Sequence, residues 1–390
     1  MNALNLKKIS KTSRKNFLTY GIVIVAYALV QLLNATGGLS SSMEGMLVPI
    51  CAYVIMAVSL NLTVGILGEL SLGHAGFMSV GAFTGVATSM ALLEVIPSPL
   101  VRMLIGIVVG AIFAAIVGFL IGIPVLRLKG DYLAIVTLAF GEIIKSIFNN
   151  LFVGIGPEGF RMSLLEDTTG ITEAGGSLLI AGPLGISGVK TYSSFTLGVI
   201  LVIVTLFIIF NLVNSRAGRA IMAIRDNRIA AESVGVNVVK YKMMAFVTSA
   251  ALAGAAGVLF GMNYSTVIAN KFDFNTSILV LVFVVLGGQG NMLGSIIAAA
   301  ALTILPEALR EFATYRMLVY AIVLILVMLG TNNPQIKAFV ERFSIRKRIS
   351  KKKAANEGKE DKKDEVQTAQ CKHQTGPRSL QGIGSRTRCR

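Results

Sequence analysis

The sequence predicts an all-α polytopic membrane protein, with about 8–10 transmembrane helices including a broken or re-entrant segment near 276–305. Three observations predict it. Of 390 residues, 54% are hydrophobic and 14% are charged, with a mean hydropathy of +0.72; soluble domains carry about a quarter charged residues. Apolar runs of about 20 residues, the length that crosses a roughly 30 Å hydrocarbon layer, recur along the chain. The charge sits at the ends: +5 in the first 16 residues, +10 from 337 to 390, and only +1 in the 320 residues between. A pI of 9.9 in this form describes two cationic tails around a neutral, apolar body, which excludes a nucleic-acid-binding domain.

The runs lie near 17–35, 46–66, 74–93, 101–124, 132–153, 195–213 and 243–262. A further run, 276–305, is interrupted by Gly287-Gly288-Gln289-Gly290-Asn291, and a last one covers 315–330. The first begins at Phe17 and reads as a retained span rather than a cleaved signal peptide. Gly106, Gly110, Gly118 and Gly122 form two small-xxx-small pairs on one span, a signal for close helix packing. Cys51, Cys371 and Cys389 have no spacing that makes a disulfide framework, and Cys371 with His373 supplies only two of the four ligands of a zinc site.

Lys and Arg give the orientation. The N-terminal cluster, the link with Arg127 and Lys129, and the segment 214–242 with Arg216, Arg219, Arg225, Arg228, Lys240 and Lys242 should face the cytoplasm. The link 154–194, with Glu158, Glu166, Asp167 and Glu173 against Arg161 and Lys190, should then lie outside. The basic C-terminal tail also lands inside if the two halves of 276–305 enter and return to the same side, an arrangement tolerated where broken helices are buried in protein; such a re-entrant hairpin is favoured over the alternative of a hidden extra span. Both termini are therefore expected in the cytoplasm. The domain plan is a basic N-terminus (1–16), a transmembrane body (17–335) and a basic tail (336–390). The tail loses its hydrophobic content and reads as disordered; its Lys and Arg between 346 and 353 should lie against anionic headgroups.

Three stretches and the glycine-rich break carry a resemblance. They are Gly68-Glu69-Leu70-Ser71-Leu72-Gly73-His74-Ala75-Gly76-Phe77; Arg127 through Gly130-Asp131-Tyr132 to Phe140-Gly141-Glu142; and Ser215-Arg216-Ala217-Gly218-Arg219 through Arg225-Asp226-Asn227 to Ala230-Ala231 and Gly235. With Leu286 to Asn291 they resemble the M-type permease subunits of branched-chain amino acid ABC importers, over roughly residues 40–335. The resemblance implies a pore half in a bacterial inner membrane. It would work beside a second, H-type permease, two cytoplasmic ATP-binding subunits and a periplasmic amino-acid-binding protein, with membrane lipids around it. It also implies no enzyme activity, metal or cofactor in this chain, ATP being used by the partners. The sequence agrees in lacking any Gly-x-x-x-x-Gly-Lys-Ser/Thr phosphate loop. The same architecture could carry urea, short amides or another small solute. A stand-alone secondary transporter or channel is the rival of a different class, and would call for intramembrane acids arranged for ion coupling.

Segment 214–242 is the candidate ATPase-coupling loop. A short helix from about Ser215 should end near Arg225, with Asp226 or Asn227 capping a second helix. Arg216, Gly218, Arg219, Ala223, Asp226, Asn227, Ala230, Ala231 and Gly235 are the residues singled out. A merely basic inner loop accounts for the charges but not for the small residues, which would permit close packing in a partner's groove. The usual leading Glu of such a loop is Ile229 here. Ser71, Gly73, His74, Gly76, Gly287, Gly288, Gln289 and Asn291 are the candidate pore or substrate path. His74 is read equally as a substrate contact and as a histidine hydrogen-bonded to a neighbouring helix. Glu142 and Lys145, three apart, read as a local ion pair rather than a proton relay.

Overall fold

The computed structural model describes residues 11–309 apart from 38, 39, 94, 129, 157, 158 and 164–176, with isolated positions between 318 and 325. The chain divides into units 1–321 and 322–390, and the architecture below is that of the first. The N-terminus before residue 11, Lys129, the acids Glu158, Glu166, Asp167 and Glu173, most of the run 315–330, and the tail 336–390 lie outside the described residues.

Eleven helices are described: α1 (Lys11–Ala35), α2 (Ser41–Asn61), α3 (His74–Ala91), α4 (Pro99–Val125), α5 (Asp131–Asn149), α6 (Phe195–Asn214), α7 (Arg216–Asp226), α8 (Arg228–Ser233), α9 (Val238–Gly261), α10 (Phe274–Gly287) and α11 (Met292–Ala308). Six stretches among the described residues are long and apolar enough to cross a membrane: 16–35, 42–67, 99–125, 195–214, 238–261 and 269–287. This is an all-α, multi-pass membrane architecture with a few short strands. Each apolar run within the described residues has its helix, with differences at the ends. The run 132–153 overshoots, because Asn150 turns its side-chain amide back to the Ser146 carbonyl at 2.8 Å and the chain leaves the helix for a strand. The run 46–66 is α-helical only to Asn61. It then widens into one π-helical turn, Leu62–Leu67, closed by Gly68 at φ +81°.

Burial separates the centre of the bundle from its rim. Within their most apolar windows, α2 is 89% and α9 72% buried, whereas α4 is 28%, α6 33% and α1 6% buried. Glycine makes the centre dense by letting backbones meet. A Cβ on Gly106 would lie 2.8 Å from the Gly85 carbonyl oxygen, and one on Gly110 2.8 Å from that of Gly81. A Cβ on Gly118 would meet Ala250 at 2.6 Å, and one on Gly122 the Met243 sulfur at 2.7 Å. The four glycines of α4 therefore pack it against α3 and α9. The opposite face of α4 presents Leu104, Val108, Ile112, Ile116, Phe119 and Ile123, all exposed and all apolar. A face of that composition suits lipid.

The strands gather at one end of the bundle. β1 (Phe152–Gly156) follows α5 and lies between β2 (Gly159–Ser163) and β3 (Ser177–Ala181), both antiparallel to it. β4 (Ile186–Ser187), just before α6, pairs with β5 (Thr266–Val267), just after α9. α7 and α8 join the other ends of α6 and α9, so the helix pair and the strands occupy opposite ends. The hairpin of α10 and α11 runs down and back along α2. Phe283 of α10 meets Tyr53 edge to face, while Ser295 and Glu307 of α11 bond Asn61 and Ser42 respectively. The two arms thus return to the end where α2 begins.

Candidate functional site

The helix pair α7–α8 is built by its caps. Ser215 starts α7, its hydroxyl accepting from the Gly218 amide at 3.2 Å. Gly218 is buried at the corner where α6 becomes α7, its missing side chain making room for the Leu212 and Val213 carbonyls. α7 ends at Asp226, and Asn227 turns extended (φ −156°) so that its side-chain oxygen accepts from the Ala230 amide at 3.1 Å. Of the two proposed caps it is Asn227 that starts α8; Asp226 instead accepts from the Arg225 guanidinium at 2.9 and 3.1 Å.

The pair has two faces. Ile224 and Ala231 turn inward and pack with Val238, Val236 and Tyr241. Arg216, Arg219, Ala223, Asp226, Asn227 and Ala230 are exposed, and so are two apolar residues, Ile229 and Val234, at 79% and 80%. The small residues singled out in the sequence therefore do different things. Ala223 and Ala230 lie on the outer face, Gly218 and Ala231 serve the fold, and Gly235 is present for its backbone. Its φ is +84°, and a Cβ there would meet nothing within 4 Å among the described residues.

The candidate path residues fall into two groups. In the first, His74 opens α3 with its Nε2 2.8 Å from the Ser59 hydroxyl of α2. The Ser59 carbonyl accepts from Ser249 of α9 at 2.6 Å, and the Ala75 amide donates to Ser277 of α10 at 3.1 Å. Leu72 donates its amide to Thr137 at 3.0 Å, and a Cβ on Gly76 would lie 3.0 Å from the Gly141 Cα. Gly73 likewise sits against the Thr137 backbone, and the Ser71 hydroxyl is buried with no hydrogen-bond partner among the described residues. His74 is 2% exposed. It has the partner the second of its two readings requires.

The second group is the tip of the α10–α11 hairpin. Gly287 packs on Gly294 and Ser295, Gly288 and Gly290 take φ of +89° and +80°, and Gln289 and Asn291 are exposed. The tip is fastened to α2 through Asn61, which accepts from the Gly290 amide at 2.8 Å and donates to Ser295 at 2.9 Å. Ser59 and Asn61 thus hold the two groups from one helix. Neither residue stands out in the sequence as a site residue. A signal existed: Ser59, Asn61 and Thr63 stand at alternate positions of an otherwise apolar run, and all three are at most 2% exposed. Glu142 and Lys145 form the expected pair at 2.5 Å. Glu69 and Lys242 form a second, more deeply buried pair between the segment after the π turn and the first turns of α9. The charge of Lys242 thus serves a tertiary contact as well as the basic segment it belongs to.

No solved structure matches this chain. Residues 42–328 match the family model described as the branched-chain amino acid transport system / permease component. The chain is 36% identical over 305 residues to the high-affinity branched-chain amino acid transport system permease protein LivM of Escherichia coli, covering 73% of this chain and 69% of that one. It is 27% identical over 287 residues to the permease protein LivH of the same system and organism, covering 71% and 88%. It is also 27% identical over 324 residues to the Escherichia coli ribose import permease protein RbsC, covering 80% and 92%. With its helical, multi-pass fold and three-quarters of its length inside the family model, this chain belongs to the branched-chain amino acid transport system permease family.

Proposed function

We propose that this chain is the M-type transmembrane subunit of an ABC importer that moves leucine, isoleucine and valine across a bacterial inner membrane. The observation that carries the reading is the α7–α8 pair, a basic, two-helix ledge with Ile229 and Val234 exposed on its outer face. We read this apolar pair among charges as part of a docking surface rather than of a solvated loop. The ledge faces the cytoplasm and receives an ATP-binding subunit; a second such subunit binds an H-type permease, the other half of the pore. The strand-bearing end faces outward, where a periplasmic amino-acid-binding protein docks over 154–194, and both termini are cytoplasmic. The chain itself performs no chemistry and holds no cofactor or metal, and ATP is hydrolysed by its partners.

Reconstitution tests the assignment. Both permeases, the ATPase subunits and the binding protein in liposomes should take up labelled leucine only with ATP inside and with every component present. Uptake by this chain alone, driven by an ion gradient, would make it a secondary transporter. Since the relatives include a sugar importer, competition by ribose but not by leucine would keep the architecture and change the cargo.

A further inference from the structure

The basic residue at the end of α7 does something that neither a docking ledge nor an inside-facing loop requires. Arg225 sends Nη1 to the Gly65 carbonyl oxygen at 3.1 Å, reaching 160 positions along the chain into the π turn of α2. Its other nitrogens, Nε and Nη2, are held by Asp226, so the guanidinium has a fixed direction. Its stem lies on Gly68, where a Cβ would come within 2.7 Å of the Arg225 Cγ. The Gly65 carbonyl belongs to the last turn of that helix, where carbonyls lack intrahelical partners and a cation is favoured.

The same residue touches the hairpin tip. A Cβ on Gly290 would lie 3.5 Å from the Gly65 carbonyl oxygen, and one on Gly65 would lie 2.9 Å from the Gly290 Cα. Asn61, one turn earlier, binds the Gly290 amide and Ser295. Gly65 is therefore gripped by α7 on one side and by the tip of α10–α11 on the other. A π turn between them is the wide, weakly hydrogen-bonded form of helix, and such turns concentrate where helices change shape.

We propose that Arg225 is a positioning residue that ties the coupling helix α7, through the Gly65 turn, to the Gly287–Asn291 tip, and that this tip is the element ATPase closure displaces. The proposal rests on the reading of α7–α8 as the ATPase-coupling ledge. Movement of the ledge pulls on the Gly65 carbonyl, and because packed contacts shift between discrete arrangements rather than stretch, the tip moves with it. A carbonyl cap with no such role would hold the turn in place and leave transport indifferent to its loss.

The test uses the full importer in liposomes, with Arg225→Ala, Arg225→Gln and Arg225→Lys. Gln keeps the stem on Gly68 but falls short of the Gly65 carbonyl, so it decides the matter if the alanine variant accumulates poorly. Expected for Ala and Gln are normal ATPase retention, leucine uptake reduced at least tenfold, and ATP hydrolysis that no longer rises when loaded binding protein is added. Lys, which reaches the carbonyl with one ammonium, should restore at least a third of the uptake. Full uptake in both Ala and Gln overturns the proposal. So does loss of the ATPase from either, which would place Arg225 on the docking face. Val234→Asp, run in parallel, reports on the ledge alone: if it keeps both ATPase and uptake, the coupling reading fails whatever Arg225 does.

Discussion

Gly65 has no room for a side chain beside Gly290: a Cβ on it would sit 2.2 Å from the Gly290 nitrogen and 2.9 Å from the Gly290 Cα. This contact joins the π turn that follows α2 to the tip of the α10–α11 hairpin.

Gly65→Ala should therefore be costly although alanine is the better helix former. Overfilling such a contact typically costs about 1–3 kcal/mol. Gly45, at the start of α2, has nothing among the described residues within 4 Å of its missing Cβ. Gly45→Ala should leave the thermal midpoint of the detergent-solubilised protein unchanged or slightly raised, and Gly65→Ala should lower it. Equal midpoints would show that the backbone contact is loose.

The buried pair Glu69–Lys242 predicts strong non-additivity. Side-chain exposures are 17% and 4%. Removing one partner strands the other, which typically costs about 3–5 kcal/mol, whereas replacing both by neutral groups of similar size is often tolerated. Glu69→Gln and Lys242→Met should each reduce the yield of folded protein, and the double variant should recover most of it. A double variant as poor as the worse single one would contradict the pairing.

The bond between His74 and Ser59 predicts a structural role for the histidine. His74→Gln, which can still reach Ser59, should lower stability modestly and leave the ratio of leucine to valine uptake unaltered. A changed ratio at normal stability would return His74 to the substrate path.

Topology has a direct check. Leu184, near the strands, and Val234, just after α8, are 72% and 80% exposed, and single cysteines at these positions should label from opposite faces of the membrane in a cysteine-free background. Labelling from the same face would undo the assignment of the ledge to the cytoplasm.

Much of this was legible in the sequence because the bilayer simplifies the code. Span length is set by hydrocarbon thickness, which is why the runs at 101–124 and 195–213 fall within two residues of α4 and α6. Capping chemistry is equally local, so the break between α7 and α8 at Asn227 could be anticipated. The role of the α4 glycines was readable for the same reason, since small residues at four-residue spacing leave few other purposes. Contacts across the chain were not readable. Nothing near Arg225 signals a carbonyl 160 positions away, and Lys242 in a basic segment looks like any other inside-facing charge. The small residues of the ledge show the limit most clearly. Composition grouped Ala223, Ala230, Ala231 and Gly235 together, yet two lie outward, one is buried, and one is required for its positive φ. Helix rotation and backbone conformation sort them, and both depend on what the helices pack against.

The central claim is that the outer face of α7–α8 binds an ATPase subunit, and retention of that subunit on purification tests it most directly. Val234→Asp places a charge on an apolar residue that is 80% exposed. If docking loses about 2 kcal/mol, affinity falls roughly thirtyfold. The variant should insert at normal levels and carry almost no ATPase through affinity purification, while Leu184→Asp, at the opposite end, retains all of it. Full ATPase retention in Val234→Asp would contradict the account.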